Sequence, residues 1–180
     1  MISEKGKGAE GVGVSQGVSL MEHFTEKPKW TITKFASEAD AKARKVMEEV
    51  SFEGNILVNE GINYLLTMIG TDAKTGTPWS NANANLIVGT GSGAAAATDV
   101  EGTFTDGVLA TMVTAYPTYG TDQKITWKAS FGALVANQAW NEFGVLNAAS
   151  SGKLLNRKVS AQGTKTSGQV WELTLEITLS

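Results

Sequence analysis

The sequence predicts a mainly β protein: an antiparallel, jelly-roll-like β-sandwich with one or two short helices and an extended N-terminal arm. Three observations carry this prediction. Segments in the second half of the chain alternate apolar and polar residues with a period of two. Clusters of turn-forming residues separate these segments. Glycine supplies 20 of the 180 residues, which favours turns over helices.

Residues 1–34 are predicted to form the Gly-rich arm, because five glycines fall within the first 17 positions and no periodicity runs through them. Such a segment cannot offset its ordering entropy alone, so we expect it to fold on a partner. A tail without a partner is the alternative, and an alternation within residues 22–36 would also suit a short strand. The predicted apolar anchors of the arm are Val12, Val14, Val18, Leu20, Met21, Phe24 and Trp30.

The predicted body, residues 35–180, begins with two short helices near 38–49 and 59–69. Ser37 and Asp40 form a capping pattern, and apolar residues then follow at helical spacing as far as Val50. Asn59 can cap the second helix. Gly61 within that helix costs about 1 kcal/mol relative to alanine. The predicted apolar face of the second helix consists of Ile62, Leu65, Leu66 and Ile69.

From residue 84 onward the period changes to two. In residues 122–132, Trp127 lies on an apolar face that alternates with lysine, threonine and serine, and the last strand repeats this pattern around Trp171. Both patterns indicate half-buried antiparallel strands with one polar face, and both tryptophans are predicted to lie in the core. Further strands are expected at Leu86 and Val88 and within 107–115, 140–147 and 154–161.

A glycine-rich segment, GTGSG at residues 89–93, follows the first of these strands. A glycine loop after a strand can bind phosphate. Here the spacing is GxGxG instead of GxGxxG, and neither a Walker lysine nor a clear amphipathic helix follows. We therefore expect a flexible surface loop in preference to a nucleotide site.

Other candidate functional residues have simple structural interpretations. Four acidic residues could provide a glycosidase pair, but nothing in the spacing fixes two of them at a working distance, so solvated turn carboxylates are expected. These four residues are Asp99, Glu101, Asp106 and Glu142.

Trp79 lies in a predicted loop and is the tryptophan we assign to a partner surface, whereas Trp140 is ambiguous. His23 lies beside two glutamates and is expected to be solvated.

Glu142 and Arg157 each lie in an otherwise apolar or neutral strand. On adjacent strands they could pair across the sheet. A partly buried pair of this kind specifies strand register more than it stabilises the fold. We predict a structural pair with no catalytic role.

Composition excludes several classes of function. The chain has no cysteine and one histidine, so thiolate and multi-histidine metal sites are excluded. The net charge of −3 is not that of a nucleic-acid-binding domain. No apolar run approaches the roughly 20 residues that span a bilayer. We expect no enzyme, no cofactor, no metal and no nucleic-acid or membrane partner.

Residues 50–180 resemble small structural proteins encoded by tailed phages and prophages. The resemblance depends on the order of short segments, and it does not include the arm. The segments are NILVNEGI (55–62), NANLIVG (83–89), YP (116–117), KITWKASF (124–131), ANQAWNEFG (136–144), LNRK (155–158) and GTKTSG (163–168), followed by the strand through Trp171.

The resemblance implies a virion protein that is assembled in the host cytoplasm. Within that class we expect a capsid decoration (cement) protein, whose arm clamps the major capsid protein and so stabilises the shell. A neck or tail adaptor, or a fibre-base subunit, is the alternative, with another virion protein as its partner. A homo-oligomer is expected, with a trimer by analogy. A carbohydrate-binding module that uses Trp79 is the third interpretation.

Overall fold

The computed structural model of the chain describes residues 25–70 and 76–180. Within these ranges, ten strands form two five-stranded antiparallel sheets, which confirms the predicted sandwich. The first sheet has the order β2 (Glu48–Glu53), β1 (Glu26–Phe35), β10 (Val170–Leu179), β7 (Lys124–Phe131), β6 (Thr118–Thr121). The second has the order β3 (Ile56–Leu57), β9 (Leu154–Val159), β8 (Glu142–Leu146), β4 (Asn85–Gly89), β5 (Val108–Thr111). The described helices are α1 (Glu38–Lys42), α2 (Asn59–Gly70) and a short 3-10 turn at Glu101–Thr103.

The core lies between the two sheets and is rich in aromatic side chains. The ring centroids of Trp30 on β1 and Phe143 on β8 lie 5.8 Å apart, so they join the two sheets directly. Those of Trp140, which precedes β8, and Trp171 on β10 lie 4.9 Å apart. Trp127 and Trp171 are buried in this core, as predicted from the alternation in their strands.

The outer face of the first sheet carries the polar half of the same alternation. Lys128 and Arg44 both form salt bridges with Glu172, at 2.8 and 2.7 Å. Burial alone would raise the pKa of the Glu172 carboxyl, but the hydrogen bonds and positive charges of Arg44 and Lys128 outweigh the effect of burial. The pKa therefore lies below its ordinary value. The predicted polar face of β7 and β10 is confirmed.

The predicted boundary of the N-terminal arm at residue 34 is wrong. Residues 26–35 form β1, which lies inside the first sheet and pairs with β10 over its whole length and with β2 on its other side. Trp30 is 0% exposed, so it belongs to the core and not to a partner-binding arm. The other predicted anchors, Val12, Val14, Val18, Leu20, Met21 and Phe24, lie outside the described residues.

The sequence signal for β1 is weak because charged residues occupy positions on its inner face. Glu26 and Lys34 share the parity of Trp30 and Ile32. Lys34 is nevertheless buried, with its ammonium 4.4 Å from the centroid of the Trp171 ring and 3.0 Å from Glu48. A lysine held over an aromatic face can occupy an inner position that apolar patterning would reserve for a hydrophobic residue.

The first predicted helix is correct at its start and wrong in its length. The Ser37 hydroxyl accepts a hydrogen bond from the Asp40 N–H, as the capping pattern predicts. The helix ends at Lys42, and Arg44 follows in the left-handed region, with φ 56°. Residues 48–53 then pair with β1, and Val50 lies opposite Ile32. Backbone pairing with an inner strand therefore overrides the helical spacing of the apolar residues.

The second helix, α2, is confirmed, but it packs through a different face. Of the predicted face, Leu65 contacts the core together with Tyr64 and Met68. The other three predicted residues, Ile62, Leu66 and Ile69, are exposed. Gly61 explains this orientation. A Cβ atom there would lie 2.6 Å from the Leu154 carbonyl oxygen, so only glycine allows α2 to lie this close to β9.

We predict that Trp30→Ala lowers the free energy of unfolding by about 3–5 kcal/mol, because it leaves a large cavity between the sheets. Thr31→Ala is the matched control, since the Thr31 hydroxyl bonds Ser51 on the exposed face. It should cost less than about 1 kcal/mol. Urea unfolding of both variants measures the difference. Equal, small effects would mean that β1 is not part of the folded body.

Candidate functional site

Three buried charged residues form a cluster on the outer face of the second sheet. Phe143 and Val145 of β8 belong to the core, so Glu142 and Gly144 face the other way. Arg157 of β9 pairs with Gly144 and therefore lies on the same outer face. Asp99, from the segment between β4 and β5, completes the cluster. Its three members, called here the Arg157 cluster, are all buried.

Arg157 binds both carboxylates. Its Nε and Nη2 donate to Oε2 of Glu142, at 3.2 and 2.5 Å, and its Nη1 donates to Oδ2 of Asp99 at 2.8 Å. Burial alone would lower the pKa of the guanidinium, but its hydrogen bonds to the carboxylates and their negative charges outweigh it. The pKa is therefore raised. Arg157 stays fully charged, and its charge is balanced within the chain.

The predicted Glu142–Arg157 contact is present on adjacent strands. The third member, Asp99, was expected to be a solvated turn carboxylate, and that expectation is wrong. Its Oδ2 also accepts a hydrogen bond from the Ala96 N–H at 2.8 Å, which closes a turn beneath Arg157. Sequence gave no signal for this role, because it depends on the path of a segment without regular structure.

The first part of the glycine-rich segment 89–93 packs against this cluster, whereas Ser92 and Gly93 are exposed, so only the second part lies on the surface as expected. The N–H groups of Gly91 and Thr105 donate to Oε1 of Glu142, at 2.8 and 2.7 Å. A Cβ atom at Gly91 would overlap the same carboxylate, and one at Gly89 would lie 2.6 Å from it. Glycine is needed here for close approach to a buried carboxylate. The N–H groups of Thr90 and Gly91 are bonded within the chain, to the Thr105 carbonyl and to Glu142, so these two are not free to bind a phosphate.

A polar depression of about 500 Å³ lies over the cluster. Thr90, Ser92, Thr103 and Thr105 contribute to its wall, and Asp99 and Arg157 line it as well. Arg157 is held by two carboxylates, so it offers little charge to an anionic ligand. The same guanidinium occupies the position between Asp99 and Glu142 that a cation would need. The arrangement can fasten the 89–105 segment to the sheet, and no acid–base pair is free within it.

The remaining carboxylate candidates, Asp106 and Glu101, each accept a hydrogen bond from another part of the chain. Asp106 accepts a hydrogen bond from the Thr90 hydroxyl at 2.9 Å. Glu101 accepts one from the Gly152 N–H at 3.2 Å. Each carboxylate therefore joins two parts of the chain, as turn residues commonly do.

The structure places both uncertain tryptophans in the core. Trp79 is 6% exposed, and its ring stands edge-on to that of Tyr64. Its carbonyl accepts a hydrogen bond from the Trp127 indole N–H at 3.0 Å. The interpretation of Trp79 as a partner-surface or glycan-binding residue is wrong, because the predicted loop folds inward over the core. Trp140 is also buried. His23 lies outside the described residues.

Sequence reasoning missed a buried lysine. The Lys165 ammonium donates to the Gly132 carbonyl and to Oδ1 of Asn137, both at 2.8 Å. Burial lowers the pKa of this ammonium, although the charge of Glu38 acts in the opposite direction. The contacts of Lys165 tie the segment before β10 to the turn after β7, which is a structural role.

Residues 25–70 and 76–180 contain neither a metal-binding cluster nor a membrane-spanning helix. Among these residues, no group of three or more His, Cys, Asp or Glu side chains is arranged to hold a metal ion. No helix in the same ranges is long and apolar enough to cross a bilayer.

Comparison with known proteins identifies no family for this chain. No protein-family model matches the chain, and searches of curated proteins and of solved structures returned no match. The function is therefore argued from the residues and their geometry.

We predict that Gly91→Ala destabilises the protein by about 1–3 kcal/mol, because the added methyl group forces the loop away from Glu142. Gly93→Ala is the matched control in the same loop, since nothing lies within 4 Å of a Cβ atom built there. It should be neutral or slightly stabilising. Thermal unfolding monitored by circular dichroism compares the two. Identical melting temperatures would show that the loop does not depend on its contact with Glu142.

Proposed function

We propose that this protein is a structural component of a tailed-phage virion and, within that class, a capsid decoration (cement) protein. The observation that carries the proposal is a contrast between the interior and the surface. The buried charges of the Arg157 cluster are paired with one another and with the backbone. The described surface, however, exposes several large apolar side chains. This combination suits a protein that binds other proteins and performs no turnover.

The exposed apolar side chains include a row of three along one face of α2. Ile69 on α2 is 81% exposed, and Leu134 in the turn after β7 is 83% exposed. Leu66 and Ile62 lie one and two turns before Ile69 on the same face of α2. The row on α2 is the part of this surface that supports contacts with other proteins, because neighbouring exposed apolar side chains form a patch. In a shell, the major capsid protein and neighbouring copies of this chain would supply those contacts.

The segment before Thr25 is the proposed clamp. Val12, Val14 and Val18 alternate with small residues along a Gly-rich stretch that could add a strand to an exposed sheet edge of a capsid subunit. Main-chain hydrogen bonds would provide affinity in that mode. Many symmetry-related copies make weak individual contacts sufficient, because each bound copy stabilises the assembled shell by mass action.

Immunogold electron microscopy of virions tests the proposed location. Antibody raised against residues 50–180 should label the whole surface of the head, because a decoration protein occurs in many copies. Label confined to one vertex or to the tail would support a neck or tail adaptor instead. The absence of label on intact particles would contradict a virion role altogether.

We predict that deletion of residues 1–19 abolishes or sharply reduces binding to purified capsids while the sandwich stays folded. The deletion leaves β1 and every described contact in place. The matched control replaces Ser15 and Ser19 with alanine, which keeps the length and the valines. Capsid occupancy is measured by co-sedimentation, and folding by near-ultraviolet circular dichroism. Unchanged occupancy of a folded deletion variant would contradict the clamp.

A further inference from the structure

An apolar groove opens at the end of the sandwich where β1 begins. Its volume is about 450 Å³, and its apolar floor is formed by Ile125, Ile177 and Leu179. These three side chains extend the inner face of β7 and β10, and Ile125 and Leu179 are only partly buried. Gly120, Gln123, Lys124 and Ser180 form the rest of the lining. The groove is therefore an uncovered continuation of the core.

The chain enters the described fold beside this groove. The Thr25 N–H donates to the Ser180 carbonyl at 2.7 Å, and the Ser180 N–H donates back to Thr25 at 3.0 Å. Ser180 is part of the groove lining. At about 3.3 Å per residue, residues 20–24 can reach roughly 15 Å from Thr25. The preceding segment is therefore tethered at the edge of the groove and is long enough to cross it.

Sequence parity relates one large residue of that segment to the groove side of β1. Glu26 lies directly opposite Leu179, and Pro28 lies opposite Ile177. Opposed residues of an antiparallel pair share a face, so even-numbered positions of β1 belong to the groove side. Two residues before Glu26 stands Phe24, whereas His23 has the opposite parity. Burial raises the pKa of the Glu26 carboxyl, although the Asn55 side chain acts in the opposite direction. A raised pKa fits an end of the sandwich from which water is largely excluded.

We propose that residues 20–24 of the same chain cover this groove, with Phe24 as the main anchor and Leu20 and Met21 beside it. A tethered segment pays less translational entropy than a separate partner, so it occupies the groove ahead of one. This inference does not rest on the proposed function. It divides the N-terminal segment into a proximal part that completes the core and a distal part, with Val12, Val14 and Val18, that remains for a partner.

The first test compares two variants of the full chain. Phe24→Ser should lower the melting temperature by about 4 °C or more, since burial of one large apolar side chain is lost. It should also increase the fluorescence of an added apolar dye that binds the exposed groove. His23→Ser, with the opposite parity, should change neither quantity. Equal behaviour of the two variants would overturn the proposal.

The second test observes the contact directly in the unmodified chain by nuclear magnetic resonance. Nuclear Overhauser contacts are expected between the Phe24 ring and the methyl groups of Ile125, Ile177 or Leu179, at concentrations where the protein is monomeric. Their absence would overturn the proposal. In mixtures of differently labelled copies, contacts found only between copies would also overturn it, because the occupant would then be a second molecule.

Discussion

A buried arginine must have its charge balanced where it lies, and the path of residues 89–105 depends on that requirement. Arg157 stands on the outer face of the second sheet, where Glu142 from the neighbouring strand and Asp99 from the covering segment neutralise it. Removing water from three charges is costly, and only complete hydrogen bonding offsets the cost. Backbone N–H groups of the covering segment supply the remaining bonds, so the segment has one well-defined position. Phe104, 5.5 Å from the guanidinium, then packs on the small apolar cluster of this face.

This arrangement has a direct bearing on function. In the sequence, the glycine-rich segment and the nearby carboxylates most resembled an active site. In the structure, these groups fasten that segment to the second sheet. The exposed apolar side chains of the described surface support the proposed role in binding other proteins. The virion role remains a proposal based on this contrast and on the resemblance of residues 50–180 to phage structural proteins.

The parts of the fold that follow from sequence are those where one strand has one buried and one polar face. β7 and β10 meet that condition, and so their faces and their tryptophans were predicted correctly. A short strand within residues 22–36 was only an alternative to the arm, because Glu26 and Lys34 interrupt the inner face of β1; the structure confirms the strand. The first helix was predicted too long because pairing with β1 overrides local spacing. The Glu142–Arg157 pair was predictable from two charges in apolar strands. Asp99, Lys165 and the inward turn of Trp79 were not, since each depends on where an irregular segment lies in three dimensions.

A double-mutant cycle between Glu142 and Arg157 tests the central structural claim most directly. Glu142→Gln and Arg157→Met are made singly and together, and the free energies of unfolding are measured in urea. Arg157→Met leaves two buried carboxylates without a cation and should cost about 3–5 kcal/mol, whereas Glu142→Gln leaves Arg157 paired with Asp99 and should cost less. The double variant should cost much less than the sum, with a coupling energy of about 2 kcal/mol or more. Additive costs would contradict the account, because the two residues would then not depend on each other.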